Sequence, residues 1–151
     1  MRRKDRERDA DFAWRVLETA PYATLSTVNK AGEPCSVPVS PARLGDAIVF
    51  HCAVAGEKLD NLTANPAVCL SAVSRADILA EQYTMAYDSA VFHGRAQIVT
   101  DPRQRRAAMR AITERYAPEH MAKFDEVFEK EAPRTVIVRI EPTSVTGKSN
   151  S

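Results

Sequence analysis

Residues 22–40 read YATLSTVNKAGEPCSVPVS, two β-rich segments separated by a short polar turn. Residues 22–29 alternate and are rich in Thr and Val, which is typical of a strand. In the turn, Gly32 is free to adopt a positive φ. Residues 34–41 predict a second strand, but Pro38 has no N–H to donate to a neighbouring strand. Position 38 therefore predicts a sheet edge, a bulge, or a neighbour other than a strand.

Four further strands are predicted beyond this hairpin. A Gly45-Asp46 turn precedes the third strand, and Gly94 predicts a kink or bulge in the fifth. Residues 74–84 are interpreted as a connector of uncertain structure. Because neighbouring strands are joined by short turns, the sheet is expected to be antiparallel. The four predicted strands cover residues 44–53, 67–74, 85–100 and 134–142.

Helical spacing of apolar residues predicts helices that flank these strands. Asp9 or Asp11 is expected to cap the first helix, and Asp101 followed by Pro102 begins the third. The four predicted helices cover residues 9–20, 56–65, 101–118 and 119–131. About six strands with few uncovered edges favour a barrel, so the predicted fold is α+β, a small antiparallel barrel with flanking helices. The predicted domain organisation is one domain over residues 1–151, with a basic N-terminal arm over 1–8 and a polar tail over 143–151.

The composition limits the classes of function. A formal net charge of +1 argues against a dedicated nucleic-acid binder. The arm MRRKDRER leaves contact with nucleic acid or another anionic surface as an alternative, but its interleaved acids favour a solvated segment. Cys35, Cys52 and Cys69 form no CxxC pair and no ligand cluster, which predicts reduced thiols and no metal site. No apolar run could span a bilayer and no signal peptide is recognisable, so no membrane association and a cytoplasmic location are expected.

The stretch FHCAVAGEKLDNL, residues 50–62, places polar side chains where a strand leads into a helix. Lys58 in the first helical turn is unfavourable to the helix dipole by a few tenths to about 1 kcal/mol, unless an anion binds there. From the local sequence alone, a Lys58 that binds an anion and a Lys58 that points into solvent are equally favoured. His51 is a candidate acid or base, or a structural histidine at a strand end. A haem or metal site built from His51 and a cysteine is a further alternative.

Three quoted stretches together carry a resemblance to a known family: MRRKDRE, the segment from YATLSTVNKAGEPC to AGEKLDNLTANPAV, and YDSAVFHGRAQIVTDP with the closing VIVRIEPTSVTGK. In this order they resemble the nitroimidazole-resistance flavoproteins of the pyridoxamine 5'-phosphate oxidase-like group. The resemblance extends over nearly the whole chain. It implies a split β-barrel that binds FMN, and a homodimer with two flavin sites at the subunit interface.

The resemblance also implies roles for individual residues. The main chain of residues 36–40 would lie beside the isoalloxazine ring, which would explain a proline there. The segment 50–52 would line the ribityl-phosphate side, Lys58 would bind the phosphate, and Asn61 would follow one turn later. His51 would be the candidate catalytic residue beside the flavin. The implied cofactor-binding residues are Ser36, Val37, Pro38, Val39, Ser40, Phe50, His51, Cys52, Lys58 and Asn61, with no metal ligand.

The chain departs from the family pattern at Glu57, where many relatives have a basic residue before the lysine. A carboxylate there would repel a phosphate unless its side chain points away. The chain also lacks the C-terminal arginine motif of true pyridoxamine phosphate oxidases. The predicted function is reduction of small electrophiles, such as nitroaromatic compounds, by bound FMN. The alternatives are a non-catalytic flavin or haem carrier on the same fold and, for the cofactor, a deazaflavin or haem in place of FMN.

Overall fold

The computed structural model describes residues 3–151 as one antiparallel sheet with helices on both of its faces. Within this part of the chain the sheet has eight strands in the order β3-β2-β6-β7-β8-β5-β4, and β1 pairs with β8. The strands are β1 (Glu7–Arg8), β2 (Ala23–Val28), β3 (Pro34–Val39), β4 (Ala42–Leu44), β5 (Ala47–Ala53), β6 (Ala67–Leu79), β7 (Thr84–Val99) and β8 (Thr135–Asn150).

Four α-helices accompany the sheet over residues 3–151: α1 (Ala10–Thr19), α2 (Glu57–Ala64), α3 (Pro102–Tyr116) and α4 (Phe124–Glu131). Two of them begin at the predicted aspartates. The Asp9 carboxylate accepts a hydrogen bond from the Phe12 N–H at 2.8 Å, and the Asp101 carboxylate accepts one from the Gln104 N–H at 2.8 Å. Each carboxylate satisfies an N–H that the helix itself leaves unpaired.

The two ends of the sheet are joined by a very short connection. Among the strands of residues 3–151, β3 pairs only with β2 and β4 pairs only with β5, so each forms an edge of the open sheet. Only Ser40 and Pro41 separate these strands. Three residue steps span at most about 11 Å, so the sheet must curl until its edges approach each other. The result is a split barrel, and Pro38 lies on an edge strand as its missing donor predicted.

The inside of the curled sheet holds the main core. α1 contributes Trp14 and Leu17, and the Trp14 ring lies 4.9 Å from the Phe92 ring of β7. The outside carries a smaller core where α3 packs against β4, β5, β7 and β8 through Ala108 and Ile112. Strands covered on both faces explain the continuous apolar run at residues 47–50.

Arg115 of α3 connects the outer helix to α1 and to the link between the sheet edges. Its guanidinium donates to the carbonyl oxygens of Leu17, Ala20 and Pro41, the Ala20 bond being 2.7 Å long. Tyr116 donates its hydroxyl to the same Pro41 carbonyl at 3.0 Å. Because Pro41 follows Ser40 directly, these bonds fix the position of the link.

The structure differs from the sequence prediction in the strand count, eight rather than about six, because β1 and β4 are separate strands. The predicted connector 74–84 mostly continues β6, which pairs with β7 to the hairpin tip. The predicted polar tail 143–151 continues β8 as far as Asn150, and the predicted helix 119–131 begins as a 3-10 segment over Pro118–Lys123. Met1 and Arg2 of the predicted arm lie outside the described residues.

None of the helices within residues 3–151 is both long and apolar enough to cross a bilayer.

Candidate functional site

A cavity of about 330 Å³ opens where the two edges of the sheet meet. The last residues of β3 form one side of the cavity. Residues 50–53 of β5, which extend beyond its pairing with β4, lie on the opposite side. The N-terminus of α2 closes a third side. The lining residues are Tyr22, Pro38, Val39, Ser40, His51 and Lys58, five of which the sequence analysis predicted as cofactor-binding.

Strand register explains why these residues meet. In the β4–β5 ladder Ala42 pairs with Val49, so continuing the register places Ser40 opposite His51. In the β2–β3 ladder Ala23 pairs with Val39, so the same continuation places Ser40 opposite Tyr22. Tyr22 was not predicted, although centring the hairpin on the turn at residues 29–33 would have placed it at this site. Its side chain is 55% exposed.

Lys58 faces the cavity from the first turn of α2. Gly56 is the N-cap with φ 143°, a conformation that suits glycine, and it has no side chain to cap the helix. The first N–H groups of α2 therefore keep their capacity to bind an anion, and the dipole adds positive charge. Within residues 3–151, Lys58 makes no salt bridge, and its ammonium nitrogen lies 5.6 Å from the centroid of the Phe50 ring.

His51 faces the cavity from β5. Partial burial of the ring lowers the pKa of His51 below its ordinary value of 6.5, and the neighbouring Lys58 ammonium lowers it further. Both causes disfavour a second positive charge beside Lys58. The imidazole is therefore mostly neutral at pH 7, with one nitrogen able to donate a hydrogen bond and the other able to accept one.

The other predicted site residues lie outside the cavity wall. Phe50 is fully buried in the barrel core, and Cys52 packs against the same core, because both alternate with His51 along β5. Val37 also packs against that core, whereas the Ser36 hydroxyl lies 2.8 Å from the Ser26 hydroxyl of β2. These four residues keep the adjoining strands in place.

Asn61 and Glu57 lie on the other side of α2. The Asn61 amide is buried and donates to the Thr27 hydroxyl at 3.1 Å. Glu57 accepts a hydrogen bond from the Cys35 thiol, with 2.9 Å between Sγ and Oε1. Both residues line a second cavity of about 680 Å³ beside the β2–β3 turn. The acid that departs from the family pattern therefore points away from Lys58.

The donor set of the 330 Å³ cavity fits a phosphate-bearing ring cofactor. Lys58 and an uncapped helix N-terminus supply positive charge, and the β3 edge and the Tyr22 ring supply flat walls. Metal ions are not favoured by the same residues. Over the described part of the chain there is no group of three His, Cys, Asp or Glu side chains that could hold a metal ion.

The sequence model of the pyridoxamine 5'-phosphate oxidase family matches residues 9–149, which is nearly the whole chain. The chain belongs to this family. Among curated proteins, none matches the sequence.

This pyridoxamine 5'-phosphate oxidase family member has the same fold as several solved structures, and these proteins differ in function. One, assigned provisionally as a 5-nitroimidazole antibiotic resistance protein of Bacteroides thetaiotaomicron, has 20% identity and a TM-score of 0.80 over 93% of this chain and 83% of its own. A flavocytochrome of Azotobacter vinelandii has 20% identity and a TM-score of 0.85 over 100% and 72%. An FAD- and haem-binding protein of Mycobacterium smegmatis has 21% identity and a TM-score of 0.81 over 95% and 72%. These likenesses establish the split-barrel fold, and neighbours on this fold bind flavin or haem.

Proposed function

We propose that the chain is an FMN-binding flavoprotein that reduces small electrophiles such as nitroaromatic, 5-nitroimidazole-like compounds. The observation that carries this proposal is the 330 Å³ cavity, which brings Lys58, His51 and the end of β3 together at a helix N-terminus. The neighbours named as a nitroimidazole resistance protein and as flavin-binding proteins support the same assignment.

Lys58 and the first N–H groups of α2 would hold the phosphate of FMN. A charge-assisted hydrogen bond of this kind contributes about 1.5–3 kcal/mol, and the helix dipole adds to it. The absence of a carboxylate partner for Lys58 among residues 3–151 supports this role, because an ion pair would otherwise have to be broken on binding.

The main chain at the end of β3 would lie along the edge of the flavin ring. Among the described strands β3 has a partner on one side only, so Pro38 and Val39 keep their other side open. Pro38 lacks an N–H, which leaves no unpaired donor at that position when a ring replaces a strand. Tyr22 would pack beside the ring, since it lies opposite Ser40 in the extended register.

Bound flavin supplies the hydride or electrons for such a reduction, and the protein supplies orientation and control of protons. His51 contributes the only imidazole among the residues that line this cavity, and it would donate a hydrogen bond or a proton at its imidazole nitrogen. Its lowered pKa keeps the ring mostly neutral at pH 7, so it adds no charge that would compete with Lys58 for the phosphate.

A non-catalytic flavin or haem carrier is the second candidate, and the FAD- and haem-binding neighbours favour it. A haem bound by both His51 and Cys52 is disfavoured, because the two side chains lie on opposite faces of β5. Turnover separates the two functions. A reductase accepts electrons from a nicotinamide cofactor and returns the flavin to its oxidised form when a nitro compound is added, whereas a carrier does not.

The assembly proposed with this function is a homodimer with two flavin sites at the subunit interface. The cavity is open on one side in the single chain, and Tyr22 and Val73 remain exposed near it. A second copy covering this side would remove the ring from water.

The Lys58→Ala variant tests the anchor. FMN affinity should fall by about 10- to 150-fold, since a charge-assisted bond of about 1.5–3 kcal/mol is lost. Riboflavin, which lacks the phosphate, should bind the variant and the original protein alike. Arg103→Ala, which changes an exposed cation on α3, is the control for net charge. Unchanged FMN affinity in Lys58→Ala would refute the proposed phosphate site.

A further inference from the structure

Glu57 and Lys58 are adjacent in the first turn of α2 and carry opposite charges. Consecutive residues on an α-helix point about 100° apart, so their side chains leave the helix in different directions. Lys58 lines the 330 Å³ cavity, and Glu57 lines the 680 Å³ cavity with Asn29, Lys30 and other residues of that side. Helix geometry fixes only the directions in which the two side chains leave the backbone. The Glu57 side chain has three rotatable bonds, so its carboxylate could still swing toward Lys58.

Cys35 of β3 holds the end of the Glu57 side chain. The thiol donates to the carboxylate over a distance of 2.9 Å. Asn61 contacts the same thiol, and its amide is fixed by the bond to Thr27. The hydrogen bond to Glu57 raises the pKa of the Cys35 thiol, so Cys35 stays protonated and remains a donor at neutral pH. The carboxylate is therefore restrained on the side of α2 away from Lys58.

The restraint matters for an anion bound beside Lys58. A carboxylate that rotated toward the cavity would repel a phosphate dianion and would compete with it for the Lys58 ammonium. Two charges a few ångströms apart near a protein surface interact at least as strongly as a typical hydrogen bond contributes. The same rotation would have little effect on a neutral ligand.

We propose that Cys35 is a positioning residue that holds the Glu57 carboxylate outside the Lys58 cavity and so gives this cavity its preference for a flavin that ends in a phosphate. This inference rests on the flavin-binding function proposed above. It assigns Glu57 and Cys35 a joint role in choosing between FMN and riboflavin, and it gives Cys35 no part in the chemistry.

The test measures the dissociation constants of FMN and riboflavin, by quenching of flavin fluorescence, for a set of variants. Cys35→Val keeps the size of the side chain and its fit to a strand but removes the donor. Its FMN affinity should fall by about 3- to 10-fold while riboflavin affinity stays unchanged. Cys35→Ser restores a donor and should restore FMN affinity. The double variant Cys35→Val with Glu57→Gln should also regain it, because no charge is left to restrain.

Cys69→Val is the matched control, since Cys69 is also a half-buried thiol in a strand, whereas the thiol that donates to Glu57 is that of Cys35. It should leave the ratio of FMN to riboflavin affinity unchanged. Equal FMN affinity in Cys35→Val and the original protein, with Lys58→Ala still weakened, would overturn the role of Cys35 and leave the phosphate site standing. A loss in Cys35→Val that Glu57→Gln does not repair would also overturn it. An Lys58→Ala variant without any loss would instead refute the phosphate site itself.

Discussion

At the scale of single residues, the pair His51 and Lys58 sets the charge of the cavity. The Lys58 ammonium and the partial burial of the imidazole both lower the pKa of His51. The cavity therefore carries one positive side chain at neutral pH, and a second appears only in acid. Sequence reasoning found both residues because each stands at a strand-to-helix junction, where a histidine and a first-turn lysine are unusual.

Replacing Lys58 by Met should raise the pKa of His51, because one of the two causes of its depression is removed while burial remains. Titration of the imidazole resonances by NMR in the free protein measures the change. His93 and His120, which do not line this cavity, serve as internal references. A His51 titration curve that is identical in both proteins would mean that Lys58 does not act on the ring.

The lowered pKa of His51 also predicts the direction of an acid effect on stability. As the pH falls, the imidazole of His51 becomes protonated at about pH 6.5 in the unfolded chain and only at a lower pH in the folded protein. The folded state is therefore penalised as the pH falls below about 6.5, and above that value the penalty vanishes. Denaturant titrations of the original protein and His51→Gln between pH 5 and pH 8 should diverge only on the acid side. Parallel curves over the whole range would contradict this.

Tyr22 and Cys35 show what residue-level reasoning could not reach. Tyr22 lines the cavity through strand register, and Cys35 acts on Glu57 across 22 residues of sequence. Both residues lie in a stretch that carries the family resemblance, but no role at the site was predicted for either of them. Tyr22 follows once the hairpin is centred on the turn at residues 29–33, whereas Cys35 requires the packing of α2 against that hairpin, which sequence spacing does not specify.

At the scale of elements, the glycines of the long strands mark close approaches. The register of β7 against β8 shifts between His93 and Gly94, which confirms the predicted bulge. A Cβ at Gly94 would lie 2.5 Å from the Glu141 carbonyl oxygen, whereas a Cβ at Gly147 would lie 2.8 Å from a carbon of the Phe12 ring. A backbone oxygen in a paired strand cannot move as a side chain can.

Gly94→Ala should therefore destabilise the protein by about 1–3 kcal/mol, the range for overpacking a tight site. Gly147→Ala should cost less, because rotation of the Phe12 side chain relieves the contact. Urea unfolding of both variants gives the two free energies. Equal losses would show that the backbone at Glu141 adjusts as readily as the Phe12 ring.

Arg115 is the second connection between elements, since it joins α3 to α1 and to the Ser40-Pro41 link. Arg115→Met keeps the length of the side chain but leaves three carbonyl groups without their charged donor, which should cost about 2–4 kcal/mol. Tyr116→Phe removes one hydrogen bond to Pro41 and should cost about 0.5–1.5 kcal/mol. FMN affinity should also fall in Arg115→Met, since the link forms part of the cavity wall. A loss no greater than in Tyr116→Phe would contradict this role.

The starts of the first three helices and the first five predicted strands could be assigned from the sequence because caps, glycine turns and alternation mark them locally. The end of β8 could not, because TSVTGKSN has few apolar residues and is held by pairing with β7 and β1. The connector 74–84 was missed for the same reason. Arg75, Asp77 and Ile78 give no clear alternation, and their strand is stabilised by the facing half of the hairpin.

At the scale of the whole molecule, the fold class followed from the order of elements and the family resemblance. Sequence patterns predict the strands, but they do not predict which two strands form the open edges of the sheet. Closure depends on the short link between β3 and β4, and its effect is visible only once both strands are known to be edges.

The hairpin tip of β6 and β7 predicts how the proposed dimer forms. Among the described strands, residues 77–86 pair only with each other, and the tip exposes Ile78 to 78% and Tyr83 to 98%. Apolar side chains presented together in this way favour contact with another surface. Sedimentation should give twice the mass of one 151-residue chain. Ile78→Asp combined with Tyr83→Asn should shift the mass toward one chain and weaken FMN binding, because the proposed flavin sites lie between the two copies. A single-chain mass for the original protein with full flavin occupancy would contradict the dimer.

The Ser40-Pro41 connection has a consequence for the range of molecules that this architecture can accept. Each inserted residue would add up to about 3.3–3.6 Å of reach between the two edges, roughly the thickness of one aromatic ring. The length of this connection would then set the width of the 330 Å³ cavity between the two edges, while the residues that line the cavity stay the same. Homologous chains with identical lining but longer connections should accept thicker ligands, and this chain should favour a single flat ring system.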